Sequence, residues 1–203
     1  MYSKEFKEEC KKKFKSKLND SFLEEYEQGT LLTKGRKFKL ENKNGVFDIE
    51  ILSLSDEINI EFEFIDEGYS EIWTIDNFYI IDDIHLESLF NNAKKYNIDS
   101  SFPQWEGVYI LCDNENNKYY IGQSKNINKR IKNHLSCNKS DIDKRLHETK
   151  NFTLKCIKLK ESGYSNLDAL ESAFIAYLSI ESELYNKTRG NNTAPQNAKS
   201  SEK

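Results

Sequence analysis

The sequence has few of the residues that break or crosslink a chain. Only two prolines and eight glycines occur among its 203 residues, which excludes a collagen-like or low-complexity protein. The four cysteines include no Cys-x-x-Cys pair and no zinc-finger spacing with histidine, so neither a disulfide framework nor structural zinc is expected. No apolar stretch approaches membrane-spanning length, and the charged beginning MYSKEFKEEC has no signal-peptide core. We therefore expect a globular, cytoplasmic protein with no membrane partner.

Aromatic residues and charge, in contrast, are plentiful and unevenly placed. With 12 Phe, 11 Tyr and 2 Trp, the chain can bury one large core or two smaller ones. Residues 1–103 carry 14 Lys and Arg against 22 Asp and Glu, a net charge of −8, whereas residues 104–190 carry 14 against 11, a net charge of +3. The overall charge of −4 hides this asymmetry, and any nucleic-acid site is expected in the basic half.

The N-terminal half has the patterns of an α+β domain. Apolar residues recur at every fourth position over residues 3–28 and predict one helix. Alternating segments over residues 36–81, with Asn44-Gly45 as a hairpin signal, predict an antiparallel β-meander. Residues 84–97 predict a second helix. The lysines at positions 11–15 are most simply a solvated helix face.

A domain boundary is predicted at residues 98–104, which contain Pro103 and lie where the charge balance changes sign. The expected organisation is an acidic α+β domain of unknown role over residues 1–100 and a second domain over residues 104–190. The tail over residues 191–203 is rich in Asn, Ser, Ala and Lys and is expected to be disordered.

The second domain is predicted to contain a three-stranded antiparallel sheet flanked by helices. The predicted strands are residues 107–112, 118–122 and 152–159. The predicted helices are a helix capped by Asn126 and running to about Leu135, a helix over residues 140–150, and a helix opened by residues 165–168 and ending near Ser179.

This half also carries six landmarks in one order: Gly-Val-Tyr at 107–109, Tyr-Ile-Gly at 120–122, Arg130, His134, Glu171 and Asn186. Each is weak evidence alone, because strand tyrosines usually pack a core and an Arg-x-x-x-His pair is usually a solvated helix face. Together they combine a guanidinium that fits phosphate oxygens, an imidazole that accepts a proton, and a carboxylate that suits magnesium. The set can therefore hold a divalent metal and a phosphodiester at once.

In motif order and spacing, residues 107–190 resemble a GIY-YIG nuclease domain. Gly-Val-Tyr is a conservative form of the first motif, and Tyr-Ile-Gly matches the second. The segment that follows places Arg130 and His134 where family members carry their catalytic arginine and histidine. Glu171 matches the metal-binding glutamate, and Asn186 matches the asparagine beyond that helix.

The resemblance implies roles for these residues. Tyr109 is expected to act as general base or to orient the attacking water, with Tyr120 assisting. Arg130 is expected to neutralise the scissile phosphate, and His134 to assist proton transfer. Glu171 is expected to bind Mg²⁺ or Mn²⁺, and Asn186 to orient its neighbours.

Four further residues carry smaller expectations. Gly107 and Gly122 belong to the motifs and could permit a close approach of the strands. Lys118 and Ser124 are candidate phosphate contacts. Some members of the family carry a second histidine after the first helix, but residues 136–140 contain none, and His147 is expected to be structural or exposed.

The implied function is metal-dependent hydrolysis of DNA phosphodiester bonds. One alternative is a DNA-binding module that keeps the fold but does not cleave. The acidic N-terminal domain could also bind a protein partner or act as an autoinhibitor that competes with DNA for the basic half. Restriction, homing, repair, mobile-element and phage-defence proteins all use this domain, so the biological role stays open.

Overall fold

A computed structural model describes residues 2–42 and 44–187. The tail predicted over residues 191–203 lies outside the described residues. Within them the fold is α+β, as predicted, with two five-stranded sheets that follow one another along the chain. In this part of the chain no helix is long and apolar enough to cross a membrane.

The first sheet is antiparallel and has the strand order β4-β3-β2-β1-β5. Two helices pack on it through an aromatic core that contains Phe14, Phe62 and Phe78. The elements of this region are α1 (Lys4–Lys15), α2 (Asp20–Glu27), β1 (Lys37–Asn42), β2 (Gly45–Ser55), β3 (Asn59–Phe64), β4 (Tyr69–Thr74) and β5 (Ile80–Ile81).

The single N-terminal helix predicted over residues 3–28 is wrong, because the chain forms two helices separated by a turn. The Asn19 side chain accepts a hydrogen bond from the Phe22 amide at 2.8 Å and caps α2. Its Nδ2 donates to Asp82 at 2.9 Å, and its backbone bridges to Tyr164. Asparagine is more favourable at a helix cap than in a helix interior. The apolar residue at every fourth position continues through both helices, so this pattern does not reveal the break between them.

The second sheet has the order β10-β8-β7-β9-β6, with helices on both faces. Helices α3 and α6 share a core with Val108 and Ile110 on one face, and α4 and α5 share a core with Tyr109 and Leu111 on the other. The elements are α3 (Asp83–Asn92), β6 (Lys94–Asn97), β7 (Gly107–Asp113), β8 (Lys118–Ser124), α4 (Ile127–Ser136), α5 (Asp141–Glu148), β9 (Phe152–Lys158), α6 (Leu167–Ser179) and β10 (Glu183–Leu184).

The three predicted antiparallel strands form the centre of this sheet as β7, β8 and β9, but two edge strands extend it. Strand β10 pairs in parallel with β8, which makes the sheet mixed. Strand β6 pairs with β9 and occupies the end of the helix predicted over residues 84–97. The pairing satisfies backbone groups on the edge of β9, an effect that a local helical pattern cannot register. The sheet therefore takes a strand from before the boundary predicted at residues 98–104.

The two regions are joined by hydrogen bonds near the N-terminal end of α6. The Tyr79 hydroxyl donates to the Ala169 carbonyl at 3.1 Å. Asn166, the N-cap of α6, donates from Nδ2 to the Ser16 carbonyl at 2.9 Å. The Asp20 amide donates to the Gly163 carbonyl at 2.8 Å. The N-terminal region therefore holds the helix that carries Glu171.

Candidate active site

The β7–β8 hairpin brings the two tyrosine motifs face to face. Tyr109 is directly opposite Gly122, and Leu111 is opposite Tyr120, so both phenol rings lie on the face covered by α4 and α5. Their ring centroids are 6.2 Å apart. A β-carbon at Gly122 would collide with the Tyr109 hydroxyl. The glycine of the second motif therefore makes room for the tyrosine of the first.

The other motif glycine, Gly107, has a comparable role between β7 and β9. A β-carbon at this position would collide with the Ile157 carbonyl, and the Trp105 ring lies close on another side. Only glycine allows the two backbones to approach so closely. Gly107 thus fixes where β7 begins, two residues before Tyr109.

Helix α4 places Arg130 and His134 against Tyr109. Asn126 caps this helix, as predicted, by accepting a hydrogen bond from the Lys129 amide at 2.9 Å. One turn apart on the same face, Arg130 donates from Nε to the Tyr109 hydroxyl at 3.2 Å, and His134 Nε2 lies 2.9 Å from that hydroxyl. The Tyr109 oxygen is therefore held between a guanidinium and an imidazole.

Tyr109 is fully buried, whereas Arg130 is exposed and Tyr120 half-buried. Burial, followed by the nearby Tyr120 phenol, raises the pKa of Tyr109 well above its ordinary value, while Arg130 opposes the shift. Burial also lowers the pKa of His134. At neutral pH the pair is therefore a protonated phenol beside a neutral imidazole, joined by a hydrogen bond of 2.9 Å.

Glu171 approaches from the opposite face of the sheet. It lies in α6 with 8% of its surface exposed, and its Oε2 accepts a hydrogen bond from Gln123 Nε2 at 3.0 Å. Gln123 also donates to Asp168 at 2.5 Å. Burial raises the pKa of Glu171, and the positive charge of Arg130 is near enough to oppose that shift. The two halves of the cluster therefore meet around β8.

Asn186 holds the β8 backbone at Ile121, the central residue of the Tyr-Ile-Gly motif. Its Oδ1 accepts from the Ile121 amide at 2.9 Å, and its Nδ2 donates to the Ile121 carbonyl at 2.7 Å. The side chain thus replaces a strand neighbour just beyond β10. This arrangement positions Tyr120 and Gly122 on either side of Ile121.

This arrangement lies within a recognised domain, since residues 106–189 match the model of the GIY-YIG catalytic domain. The chain contains a GIY-YIG catalytic domain. No curated protein and no solved structure matches the chain. The GIY-YIG domain is a nuclease domain, so the chain is related to nucleases through these residues.

Within the GIY-YIG domain, the structure brings the six landmarks together but places the two candidate phosphate contacts differently. Lys118 lies at the far end of β8, where it pairs with Glu183 at 3.3 Å and covers the Tyr185 ring. Ser124 ends β8, and its hydroxyl donates to the Asn126 carbonyl at 2.8 Å. Ser124 therefore shapes the turn into α4, and Lys118 supports the C-terminal edge of the sheet.

One residue of the GIY-YIG domain that the sequence motifs do not include is Asp143. Its Oδ1 lies 2.6 Å from His134 Nδ1, and both side chains are almost fully buried. The visible signal was Ser140 followed three residues later by Asp143, which is the pattern of a capping box and does form one here. A capping residue alone gives no reason to expect contact with a histidine on another helix.

The residues around Glu171 suit a magnesium-type ion, which takes part of its coordination shell from water and substrate. They do not suit a metal ion held by protein ligands alone. The described residues contain no group of three His, Cys, Asp or Glu side chains that could hold a metal. Magnesium typically binds through one or two carboxylates and completes its shell with water and substrate phosphate. Glu171 offers such a carboxylate. It has a guanidinium nearby but forms no ion pair within residues 2–42 and 44–187. Nucleases with this domain typically use a divalent metal, and the carboxylate of Glu171 has the chemistry that such an ion requires.

Proposed function

We propose that the chain is a metal-dependent endonuclease that hydrolyses DNA phosphodiester bonds. The supporting observation is the hydrogen-bonded series Arg130–Tyr109–His134 inside a GIY-YIG catalytic domain. The series combines a cation for the phosphate with a route for a proton. A site that only bound DNA would need the first of these and not the second.

Charge on the α4 side supports DNA as the partner. Residues 116–140 contain five lysines and Arg130 but no Asp or Glu. Lys125, Lys129 and Lys132 are exposed, and no ion pair involves them within the described chain. Several lysines of the N-terminal region instead form ion pairs with nearby acids, as Lys39 does with Asp48 at 3.1 Å. Unpaired lysines beside a catalytic cluster are suited to phosphate contacts.

The proposed chemistry follows from the donors and acceptors of the cluster. The exposed Arg130 turns from the Tyr109 hydroxyl to the scissile phosphate, and the attacking water takes its place. The water passes a proton to Tyr109 as Tyr109 passes its own to His134 Nε2. The water oxygen bonds to phosphorus, the bond to the 3′ oxygen breaks, and that oxygen takes a proton from solvent.

Two other residues complete the proposed site. Glu171 would hold Mg²⁺ or Mn²⁺, which supplies Lewis acidity at the phosphate and the leaving oxygen. Tyr120, half-buried next to Tyr109, would hydrogen-bond to the water or the phosphate. Asn186 would keep the strand between them in register.

Plasmid nicking tests this proposal. We expect cleavage of supercoiled DNA by the wild type with Mg²⁺, no cleavage with EDTA, and a loss of at least about 10²-fold in Glu171→Ala. The matched control is Glu181→Ala, which removes an exposed carboxylate just beyond α6 and should cleave like the wild type. Equal cleavage in all these samples would contradict the proposal.

A binding measurement separates the proposal from the alternative of a non-cleaving module. The same proteins are titrated with labelled duplex DNA at several salt concentrations. We expect affinity to fall steeply with salt, as contact through unpaired lysines requires. Tight, salt-dependent binding together with no cleavage by the wild type in Mg²⁺ or Mn²⁺ would instead support the alternative.

A further inference from the structure

Behind His134 lies a buried carboxylate that belongs to none of the sequence motifs. Asp143, at the start of α5, contacts His134 Nδ1 through Oδ1 at 2.6 Å. The opposite ring nitrogen, Nε2, faces the Tyr109 hydroxyl at 2.9 Å. Asp143, His134 and Tyr109 therefore form one hydrogen-bonded series, which ends at the Tyr109 hydroxyl, the proposed proton donor.

The hydrogen-bond partners of His134 in this series determine which of its nitrogens carries the proton. An ionised carboxylate only accepts hydrogen bonds, so His134 Nδ1 must carry the proton that it donates to Asp143. In a neutral imidazole the other nitrogen then has a lone pair, and it accepts a hydrogen bond from the Tyr109 hydroxyl. Arg130 donates to the same hydroxyl, so all three hydrogen bonds run in one consistent direction.

Asp143 is itself held firmly as an ionised acceptor. Its Oδ2 accepts from the Ser140 amide at 3.0 Å and the Lys139 amide at 3.3 Å. Burial alone would raise the pKa of Asp143, but the hydrogen bonds from His134 and Ser140 lower it to about 2. The carboxylate is therefore charged at any pH at which the protein is expected to work.

Helix α5 is anchored a second time, two residues beyond Asp143. Arg145 donates from Nε to the buried Asp113 at 2.8 Å. Asp113 terminates β7, the strand that carries Tyr109. The strand with the phenol and the helix with the carboxylate are thus linked directly, which keeps the distance across His134 fixed.

We propose that Asp143 is a positioning residue for catalysis, holding His134 with Nδ1 protonated and Nε2 ready to accept the Tyr109 proton. This inference rests on the proposed function for its meaning in catalysis. When His134 becomes doubly protonated, the positive charge forms beside the Asp143 carboxylate and is stabilised by it. The proton leaves His134 to solvent after the phosphodiester bond is broken.

The charged and titratable groups around His134 determine the expected pH dependence. They are Asp143 on α5, Tyr109 on β7, Tyr120 on β8 and Arg130 on its own helix. Asp143 raises the pKa of His134, whereas burial and Arg130 lower it. Removing the Asp143 charge should lower the pKa of His134 further, because the opposing influences remain.

The first test is Asp143→Asn, with Asp141→Asn as the control in the same helical turn. Asp141 is exposed and pairs with Lys187 at 2.9 Å, away from His134. We expect Asp143→Asn to lower kcat for DNA cleavage by about 10²-fold with little change in DNA affinity, and to move the acidic limb of the rate profile to lower pH. A kcat within twofold of the wild type, or an unshifted acidic limb, would overturn the proposal.

The second test does not depend on cleavage. Nitrogen-15 NMR of histidine-labelled protein distinguishes the two neutral tautomers, with His85 and His147 assigned by substitution. We expect His134 to carry its proton on Nδ1 in the wild type and in Asp141→Asn, and on Nε2 in Asp143→Asn. Protonation of Nε2 in the wild type would overturn the inference even if DNA is cleaved. The expected tautomers with no cleavage of DNA would leave the positioning intact and refute the proposed function instead.

Discussion

The two five-stranded sheets differ in what they bury. The core of the N-terminal sheet is built from aliphatic and aromatic side chains, with Phe62 and Phe78 in edge-to-face contact at 4.9 Å. Of the seven buried polar or charged residues described, only Asn19 precedes the second sheet, and the other six are Asp113, His134, Asp143, Ser162, Glu171 and Ser172. Burying a polar group costs free energy unless it is paired, so the second sheet depends on specific polar pairing far more than the first does.

Glycine shows the same contrast. In the N-terminal region, Gly29, Gly35 and Gly68 adopt positive φ in turns, and a β-carbon on any of them would meet open space. Gly107 and Gly122 instead lie within strands, where a β-carbon would collide with backbone or with Tyr109. The first group serves chain reversal, and the second serves the geometry of the cluster.

The largest expected effect concerns where one region ends and the other begins. A chain starting at Gln104 lacks α3 and β6, and with them Leu86 and Phe90 of the second core. Loss of a buried leucine alone costs about 2–5 kcal/mol, against a total stability of about 5–15 kcal/mol. We expect this fragment to show no cooperative thermal unfolding by circular dichroism.

A fragment starting at Asp82 is the matched comparison, because it keeps the N-cap of α3 and strand β6. We expect it to unfold cooperatively. It is also the suitable fragment for asking whether the acidic N-terminal region inhibits cleavage. A native-like fragment from Gln104 would show that α3 and β6 are dispensable and would restore the boundary predicted from sequence.

The sequence motifs include the residues proposed to carry chemistry but not those that support them. Tyr109, Arg130 and His134 stand in recognisable motifs, and their convergence follows from a hairpin and one helical turn. Asp143 resembles an ordinary helix cap, and Asp113 an ordinary turn residue. Their partners lie 9 and 32 residues away along the chain, and only the packing of α5 on the sheet brings them together.

The next effect tests the buried ionic centre of the second region. We expect Asp113→Asn to lower the free energy of unfolding by about 3 kcal/mol at pH 7, because the buried carboxylate loses its charge-assisted hydrogen bonds from Arg145 and Tyr185. Asp48→Asn removes an exposed partner of Lys39 in the first region and should cost less than about 1 kcal/mol. Urea unfolding of the two variants measures both values.

The pH dependence of the unfolding free energy tests whether the charge of Asp113 is stabilising. Burial alone would raise the pKa of Asp113, but hydrogen bonds from Arg145 and Tyr185 lower it well below its ordinary value. Its contribution is therefore complete above the unfolded pKa of about 3.9 and is lost as pH falls further. The difference between the wild type and Asp113→Asn should shrink below about pH 4. A constant difference from pH 7 to pH 3 would show that lost packing, and not charge, explains the cost.

The smallest expected effect on stability comes from substituting one glycine in each region. We expect Gly122→Ala to cost about 2 kcal/mol of unfolding free energy, because the added methyl group displaces the Tyr109 ring. Gly68→Ala should cost about 1 kcal/mol through its positive φ of 67°. The two variants should differ far more in plasmid nicking, where only Gly122→Ala moves the Tyr109 hydroxyl away from His134. If Gly122→Ala nicks DNA at the wild-type rate, the close fit of Tyr109 beneath β8 is not what catalysis requires.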